Sequence, residues 1–398
     1  MSIRLRHVAA VNPPTHEFDV LPDTAELPFL PLEAVWPGDR LDTTRRQPKS
    51  AVSSGYTRFR EGDILLPKIT PTFQADRTVI VKGLEGGVGA GTTELHVVRA
   101  GPDADVRYLR YLLSSKKFLD EGEASMLGVA GQKRVPDDCL RDLRVPVVDL
   151  RHQRAIADYL DRETARIDAL IEKKQRMIEL LHSRVRILAH QLTMQSATVL
   201  ALRRLVLHVQ TGATPPSSEL ERLRDGDVDW YSPSDIGYGL DLHKASRTLD
   251  GSAIREGWVP DFPDNSTLVV GIGATAGRVA HLEHQASANQ QITCLVAGPL
   301  INARFLSWQL FSRGDKLRET APFTTLPILN NDFLKSLRCP APTREEQDEI
   351  VQRLDSEARQ TNVLIQKIRN QINLLLEHRQ ALITAAVTGK LQIPGVAA

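Results

Sequence analysis

The chain has 398 residues, of which 41% are hydrophobic and 25% charged, values that exclude wholesale disorder. At roughly 100–200 residues per domain, this length predicts two or three domains. Fifty basic side chains balance 49 acidic ones, so the formal charge is +1. This balance excludes a strong overall field that attracts polyanions or membranes, and any nucleic-acid binding needs local clusters or a partner.

Three cysteines, Cys139, Cys294 and Cys339, are scattered without CxxC spacing. This pattern excludes a disulfide framework and a zinc ribbon, and it is typical of a reducing compartment. The opening residues lack the apolar core of a signal peptide, and no run of about 18 apolar residues predicts a membrane span. The sequence therefore predicts a soluble cytoplasmic protein without membrane contact.

Short β-rich runs separated by turn residues fill the first third of the chain. Residues 63–66 and 78–81 predict strands, residues 83–91 predict a loop, and residues 107–119 predict a short helix. A further loop passes through Gly128 and Gly131. These elements predict an α+β domain of about 140 residues, which is large enough to hold its own core.

A long helical segment follows at residues 149–195, and a second α+β domain comes after it. The best strand of this second domain is residues 267–272, and residues 303–312 predict its helix. The remaining residues, 343–398, predict a second long helix. Thr343 and Glu346 form a capping box at its start, and Gly389 and Pro394 are stop signals.

An internal repeat relates the two helical segments. Residues 140–188 align without gaps on residues 334–382 at a constant offset of 194, and identical pairs include Leu143/Leu337, Pro146/Pro340, Gln153/Gln347, Leu160/Leu354 and Asp161/Asp355. The simplest cause is duplication of one half-molecule. The chain therefore divides into two mixed domains, each followed by a helical segment.

Apolar residues in both helical segments recur every 3.5 residues, which predicts a left-handed coiled coil. Because two copies exist, we expect them to pair with each other as an intramolecular antiparallel coiled coil. Lys174 and Arg379 interrupt its seam, where they cost stability, help to fix the register or face another subunit. The predicted seam residues are Leu160, Ile167, Ile171, Ile178, Leu181, Leu188, Leu354, Ile365, Ile368, Ile372, Leu375 and Leu382.

The alternative is that each stripe is only the buried face of an ordinary domain helix. About 40 residues at 1.5 Å rise extend roughly 60 Å, well beyond the average core helix. Helix length therefore favours the coiled coil.

Three motifs suggest catalysis or metal binding, but each lacks its required context. Asn-Pro-Pro-Thr at residues 12–15 lacks the aromatic residue of an amino-methyltransferase signature, and a proline turn explains it. GxGxxxG at residues 271–277 lacks a following strand with an acidic residue. His281 and His284 lack the HExxH spacing of a zincin. We therefore predict no catalytic residue, no metal site and no cofactor.

The chain resembles the specificity subunit of type I restriction-modification enzymes over essentially its whole length. Two helical repeats carry the resemblance, each with a Leu-Arg-x-Pro stretch before a Gln-x-x-Ile. The remaining motifs are Thr-Gly-x-Thr-Pro at 211–215, Trp-x-Ser-Pro-Ser-Asp-Ile at 230–236, Gly-Ala-Thr-Ala-Gly at 273–277, Asn-Gln-Gln-Ile at 289–292 and Ala-Ala-Val-Thr-Gly-Lys at 385–390. The first domain fits less closely, through Gly-Asp-Ile-Leu at 62–65 and Lys-Ile at 68–69.

This resemblance implies a non-catalytic reader of double-stranded DNA. Residues 1–148 and 196–342 would be target-recognition domains, each for one half of a split sequence. Residues 149–195 and 343–398 would be helical spacers that set the gap and dock partners. The implied partners are two methyltransferase subunits, which carry the AdoMet, and endonuclease/translocase subunits that join them.

Loop cations beside the predicted strands are the candidates for DNA contact. Arginine contacts to guanine and Asn or Gln contacts to adenine are the usual chemistry, although a single surface cation more often contacts a phosphate or only solvent. Asn289, Gln290 and Gln291 could also read bases, but their place in the family pattern favours a structural role. The candidate cations are Arg45, Arg46, Lys49, Arg58, Lys68 and Arg77 in the first domain and Lys244, Arg247 and Arg278 in the second.

Two other functions stay open on the sequence alone. A coiled-coil scaffold that tethers two interaction domains without DNA binding would show no salt-dependent duplex binding, even with partner subunits present. An AdoMet- or dinucleotide-dependent enzyme would show a ligand-dependent thermal shift of the isolated chain.

Overall fold

The computed structural model describes residues 2–128, 133–320 and 327–393. Gly131 and Pro394 lie outside the described residues. The chain divides into two compact units. The first unit is formed by Met1–Glu172 and Gln371–Ala398, and the second unit by Lys173–Asn370.

The first unit contains a mixed domain built mainly of short strands. Its strands are β1 Ser2–Arg4, β2 Ala9–Val11, β3 Glu26–Leu30, β4 Val35–Trp36, β5 Arg40–Leu41, β6 Arg46–Pro48, β7 Thr57–Arg60, β8 Ile64–Pro67, β9 Val79–Ile80, β10 Val88–Gly91, β11 Leu95–Ala100 and β12 Arg144–Pro146. Its helices are α1 His16–Asp19, α2 Val106–Leu113, α3 Lys116–Ala124 and α4 Asp137–Asp142. Two four-stranded sheets have the orders β2-β11-β8-β9 and β6-β3-β10-β7, and β1 pairs with β12.

The first long helix, α5 Leu150–Thr193, leads into the domain of the second unit. The strands there are β13 Val199–Ala201, β14 Val206–Thr211, β15 Arg224–Tyr231, β16 Thr248–Leu249, β17 Ser266–Val270, β18 Val279–Leu282, β19 Ser287–Ala288, β20 Ile292–Ala297 and β21 Arg338–Pro340. The helices are α6 Ser217–Leu220, α7 Ser252–Arg255, α8 Ala303–Phe311, α9 Gly314–Glu319 and α10 Asn331–Ser336. The second long helix, α11 Arg344–Val387, follows.

The two domains share one architecture. The sheet order β14-β20-β17-β18 of the second unit repeats β2-β11-β8-β9 of the first, and the pair β13-β21 repeats β1-β12. In both domains a helix follows the strand at the second position of the sheet, α2 after β11 and α8 after β20. The predicted fold class, two similar α+β domains and two long helices, is confirmed, and the repeat extends well beyond the segments that align in sequence.

The long helices pack antiparallel to one another within each unit. In the first unit, Leu160 of α5 shares a core with Ala386 and Val387 of α11. In the second unit, Val185 of α5 shares a core with Ala358 of α11. Early residues of one helix therefore meet late residues of the other. In the part of the chain that the structure describes, no helix combines the length and apolarity that a membrane crossing requires.

The predicted seam residues face inward on both helices. Leu160, Ile167 and Ile171 of α5 are buried, as are Leu354, Ile365 and Ile368 of α11. The remaining six, Ile178, Leu181, Leu188, Ile372, Leu375 and Leu382, are half-buried. Arg379, one of the two cations at seam positions, lies with its Nε 3.0 Å from Oδ1 of Asp168 on the paired helix.

The glycine-rich stretch at residues 83–91 differs from its predicted loop, because Val88–Gly91 forms the buried strand β10. A Cβ on Gly89 would lie 2.5 Å from Cε2 of Phe59, and one on Gly91 would lie 2.7 Å from the carbonyl oxygen of Leu30. Here glycine permits close approach of the neighbouring strands and does not mark a turn.

Two further expectations need correction. The single helix predicted at residues 107–119 is two helices, because Ser115 caps α3 and its hydroxyl accepts a hydrogen bond from the Phe118 amide. Residues 281–291, which follow the glycines of residues 271–277, are polar in sequence and predict no strand, but His281 itself lies buried in strand β18.

Candidate nucleic-acid interface

A repeated hydrogen-bond set fixes the start of each long helix to its domain. In the first unit, Oε1 of Gln153 accepts from the Asp105 amide at 2.8 Å, and Nε2 donates to the carbonyls of Val148 and Asp103. The contacts repeat in the second unit around Gln347, which accepts from the Asn302 amide at 2.6 Å and donates to two carbonyls. The repeated glutamine is therefore a structural residue that fixes the domain to its helix.

The repeated aspartate serves the same purpose two turns further along each helix. Asp161 accepts from Arg107 at 2.7 Å and from the Tyr111 hydroxyl at 2.8 Å. In the second unit, Oδ1 of Asp355 accepts from Nε1 of Trp308 at 2.8 Å and from Arg304 at 3.0 Å. These contacts hold α2 and α8 against the long helices.

Several candidate cations of the first unit are engaged by acidic partners. Arg45 pairs with Glu33 at 2.9 Å, and Arg46 pairs with Glu85 at 2.6 Å. Both pairs are at the surface, where an ion pair is worth little, so a phosphate could replace the carboxylate at small cost. Lys68 is half-buried and forms no ion pair with any described residue.

Lys49 and Arg58 support the fold of the first unit. Lys49 is buried, and its ammonium donates to the carbonyl oxygens of Asp19 and Leu21. Arg58 pairs with Asp19 at 2.8 Å, and its guanidinium lies over the ring of Phe18, 4.2 Å from the centroid. Either cation would have to give up these contacts before it could bind DNA.

Arg77 and Arg278 each lie against an aromatic ring. Arg77 contacts Trp36, with 5.6 Å from its guanidinium carbon to the ring centroid. Arg278 lies 4.7 Å from the ring centroid of Tyr238, and it donates to the carbonyl of Ile236 at 2.9 Å. These ring contacts restrict the orientations that both guanidinium groups can adopt.

Lys244 and Arg247 line a cleft of about 460 Å³ in the second unit, together with Arg224 and Trp230. The three cations are exposed, and the described residues offer none of them an ion-pair partner. Trp230 is buried and donates from Nε1 to the carbonyl of Ala213 at 3.1 Å, so it forms part of the cleft wall. These cations are free to contact a polyanion without breaking an internal pair.

The glycine motif at residues 271–277 and the Asn-Gln-Gln stretch at residues 289–291 form turns. Gly277 has φ +88 and packs so closely on Gly314 that a Cβ would lie 2.2 Å from its carbonyl oxygen, so residues 271–277 form a tight turn. Oδ1 of Asn289 accepts from the Gln291 amide, which closes another turn. Within the described residues, no group of three His, Cys, Asp or Glu side chains could hold a metal ion.

A hydrogen-bonded network that sequence reasoning missed lies at one end of the sheet in the first unit. Nδ2 of Asn12 donates to Oδ2 of Asp137 at 2.9 Å and lies 3.2 Å from Nδ1 of His96. Burial lowers the pKa of His96, which favours its neutral form, and its Nε2 donates to the Val135 carbonyl at 2.9 Å. Asn12 also accepts from the Val97 amide, so it holds Asp137 in place.

A second network lies at the corresponding end of the sheet in the second unit. The hydroxyls of Thr211 and Thr293 both donate to Oδ1 of Asn331, at 3.2 and 3.3 Å. Gln290 stands beside them and accepts from the hydroxyl of Thr214. The 194-residue offset, which pairs residue 137 with residue 331, was the available signal for both networks.

Comparison with known proteins finds likeness to DNA specificity proteins. Residues 206–374 match the family model described as type I restriction modification DNA specificity domain. The Escherichia coli type I restriction enzyme EcoEI specificity subunit is 40% identical over 148 residues, which cover 36% of this chain and 24% of that protein. The EcoAI specificity subunit, also from Escherichia coli, is 38% identical over 158 residues, or 38% of this chain and 26% of that protein.

The aligned part spans about a quarter of each of these two relatives. A solved structure from work on complex assembly and conformational transition of the type I R-M system covers 98% of both chains. Its TM-score is 0.69 at 15% identity, so this likeness concerns the fold alone.

Proposed function

Because residues 206–374 match a type I restriction modification DNA specificity domain and the chain resembles type I specificity subunits, we propose that it selects the DNA target of such a restriction-modification complex. One observation carries the proposal: the first unit repeats the architecture of the unit that holds the matched domain. A chain with two such domains has two recognition surfaces of one kind.

In this proposal each recognition domain, residues 1–148 and 196–342, reads one half of a bipartite sequence. Duplicated domains suit a duplex whose half-sites are separated by a gap that the protein does not read. Lys244 and Arg247 are the favoured contacts of the second domain because they need not break an internal ion pair. Arg45, Arg46 and Lys68 are favoured in the first domain, and Arg278 is a further candidate in the second.

The long helices, within residues 149–195 and 343–398, would set the gap between the half-sites. Each has 44 residues, about 66 Å at 1.5 Å per residue, and the twelve seam residues would hold the pair together. Exposed apolar side chains along the helices, such as Leu180, Ile187, Val363 and Leu374, would dock two methyltransferase subunits.

The chain itself would be a non-catalytic reader without a cofactor or a metal. The methyltransferase subunits would supply AdoMet and the methyl transfer, and the endonuclease/translocase subunits would join that assembly. This division of labour suits a nearly neutral chain, because partner subunits can close around the DNA and supply further positive charge.

Selection from a random duplex library tests the proposal. The full chain, alone and co-purified with type I methyltransferase subunits, should enrich one sequence of two defined parts separated by undefined base pairs. A variant with one heptad inserted in each long helix adds about 10 Å per helix, and should lengthen the gap by about three base pairs. Enrichment of no sequence by the assembled complex would refute the recognition function, and an unchanged gap would refute the spacer role.

A further inference from the structure

The ends of the two main sheets correspond residue by residue. In the first unit the Val135 amide donates to the Lys68 carbonyl at 2.8 Å, and in the second unit the Leu329 amide donates to the Gly271 carbonyl at the same distance. Lys68 therefore corresponds to Gly271. Two residues after Val135 and Leu329, the helices α4 and α10 begin at Asp137 and Asn331.

A second backbone pair supports the same correspondence. The Lys68 amide donates to the Glu94 carbonyl at 2.9 Å, and the Gly271 amide donates to the Gln291 carbonyl at 2.7 Å. The two sheet ends thus correspond by their hydrogen bonds and not only by strand order. A cleft opens at each: about 340 Å³ in the first unit and about 360 Å³ in the second.

The cleft of the first unit presents both a donor and an acceptor. Lys68 supplies an ammonium that forms no ion pair among the described residues. Asp137 is 44% exposed, Asn12 occupies one lone pair of its carboxylate, and Arg141 lies 3.7 Å from its Oδ2. Since a carboxylate has about four acceptor positions, Asp137, which lines the cleft, retains free ones.

The cleft of the second unit presents the side-chain amide nitrogens of Asn331 and Gln290 as donors, beside the exposed carboxylate of Asp332. Both lone pairs of the Asn331 Oδ1 are taken by Thr211 and Thr293, and in the described chain its Nδ2 donates to no residue. Gln290 has the same pattern of hydrogen bonding as Asn331. Its Oε1 accepts from the Thr214 hydroxyl, and its Nε2 has no hydrogen-bond partner among the described residues. Gly271 adds no side chain at the position that corresponds to Lys68.

Gln153 and Gln347, which support the fold through the same three hydrogen bonds, keep their identity. Asp137 and Asn331 occupy corresponding positions of nearly equal shape with opposite hydrogen-bonding character. The helix caps Asp105 and Asn302 differ in the same way but make equivalent contacts with two backbone amides each. Asp137 and Asn331 instead line open clefts, where a difference in chemistry at retained shape can discriminate between ligands.

We propose that these two clefts read base edges, that Asp137 selects an amino base in one half-site, and that Asn331 selects a keto base in the other. In the major groove adenine and cytosine offer an exocyclic amino donor, whereas guanine and thymine offer a carbonyl acceptor. The carboxylate of Asp137 accepts from the former, and the amide nitrogen of Asn331 donates to the latter. This inference rests on the proposed function and adds the chemical class of base that each domain takes.

Reciprocal substitution tests the proposal, because Asp137→Asn gives the first cleft the residue of the second, and Asn331→Asp does the reverse. Both changes are close to isosteric, so the networks around Asn12 and Thr211 can persist. Asp138→Asn is the matched control: it removes the same charge one residue away, from a side chain that is 84% exposed and pairs only loosely with Arg141 at 3.8 Å. The probe is the random duplex library with the full chain and its co-purified partner subunits.

Asp137→Asn should lower the preference for adenine or cytosine at one position of one half-site by about ten-fold and leave the other half-site unchanged. Asn331→Asp should change the base preference only in the other half-site. Asp138→Asn should change the base preference in neither half-site. Unchanged preferences in both reciprocal variants, or uniform weakening across all sequences, would overturn the inference. The recognition function would still stand if the unmodified chain enriches a bipartite sequence.

Discussion

Buried polar side chains of the second unit make its stability depend on pH. His281 is 3% exposed, and its Nδ1 lies 2.9 Å from the Ser307 hydroxyl. Burial, together with the nearby charge of Arg304, lowers the pKa of His281 to about 4 from the ordinary 6.5. The unfolded chain therefore binds a proton between pH 6.5 and pH 4 that the folded chain does not.

We predict that the second unit loses stability as the pH falls from 6.5 towards 4, by about 3 kcal/mol for this histidine. His281→Asn should flatten that part of the profile, because the side chain no longer titrates. Urea unfolding monitored between pH 4 and pH 7 gives the measurement, and His190→Asn, at an exposed position of α5, is the control. Equal slopes for His281→Asn and the unmodified chain would contradict the assignment.

Single residues that do the same work in both units are visible in the sequence, whereas residues with distant partners are not. The repeat pointed to Gln153 and Gln347, since identity at a fixed offset selects positions that do the same work twice. Identity did not point to Asp137 and Asn331, because these two residues differ between the copies, although the same 194-residue offset relates their positions. It also could not show that Lys49 and Arg58 have internal partners, which lie more than 25 residues away in the sequence.

Among the elements, the long helices depend on their first turns for attachment to the domains. Gln347 is 1% exposed and satisfies an amide and two carbonyls that no other side chain reaches among the described contacts. An unsatisfied buried polar group costs about 1–3 kcal/mol. Gln347 therefore fixes the first turn of α11 to the second unit, and Asp355 and the buried Leu354 hold the helix further along.

Gln347→Ala should destabilise the second unit by about 2–4 kcal/mol, measured as the free energy of unfolding in urea. Gln352→Ala, an exposed position on the same helix, should change it by less than about 0.5 kcal/mol. The equivalent change in the first unit, Gln153→Ala, should reproduce the loss there. A loss of less than about 0.5 kcal/mol in the free energy of unfolding of both units would contradict this prediction, because it would mean that water replaces the glutamine amide without cost.

The helices were the elements most accessible from sequence, because a 3.5-residue apolar spacing that repeats over many turns is the pattern of paired helices and of little else. Strand β10 was the least accessible. Its glycines at 89 and 91 predicted a loop, since nothing in the local sequence shows that Phe59 and Leu30 approach from neighbouring strands. Local composition gives turn signals, and only tertiary packing distinguishes a turn from a close approach.

For the whole molecule, the main consequence is that the first unit is not contiguous in sequence. Its core includes Ile383, Ala386 and Val387 from the end of α11 beside Leu160 of α5. The hydroxyl of Tyr108 also donates to the carbonyl of Val387, and the Gln380 side-chain amide donates to a carbonyl at the end of α2. Residues of the last helix thus complete a domain formed by the first third of the chain.

We predict that a chain ending at residue 370 has an intact second unit and a destabilised first unit. Loss of three buried apolar side chains and their neighbours exposes the face of α5 around Leu160. Amide hydrogen exchange should accelerate across residues 1–172 and stay slow in the sheet of the second unit. Equal protection in both units would show that the end of α11 contributes nothing to the first core.

Because the first unit is not contiguous in sequence, the two units complete their folding in a set order during translation. About 200 residues separate Glu172 from Gln371, and at 5–20 residues per second their synthesis takes roughly 10–40 s. During that interval the nascent first domain lacks the end of α11, so the apolar face of α5 around Leu160 stays exposed to solvent. The second unit is contiguous in sequence and can complete its fold before residue 371 is synthesised. The first unit, although it is translated first, is therefore the last to complete its fold.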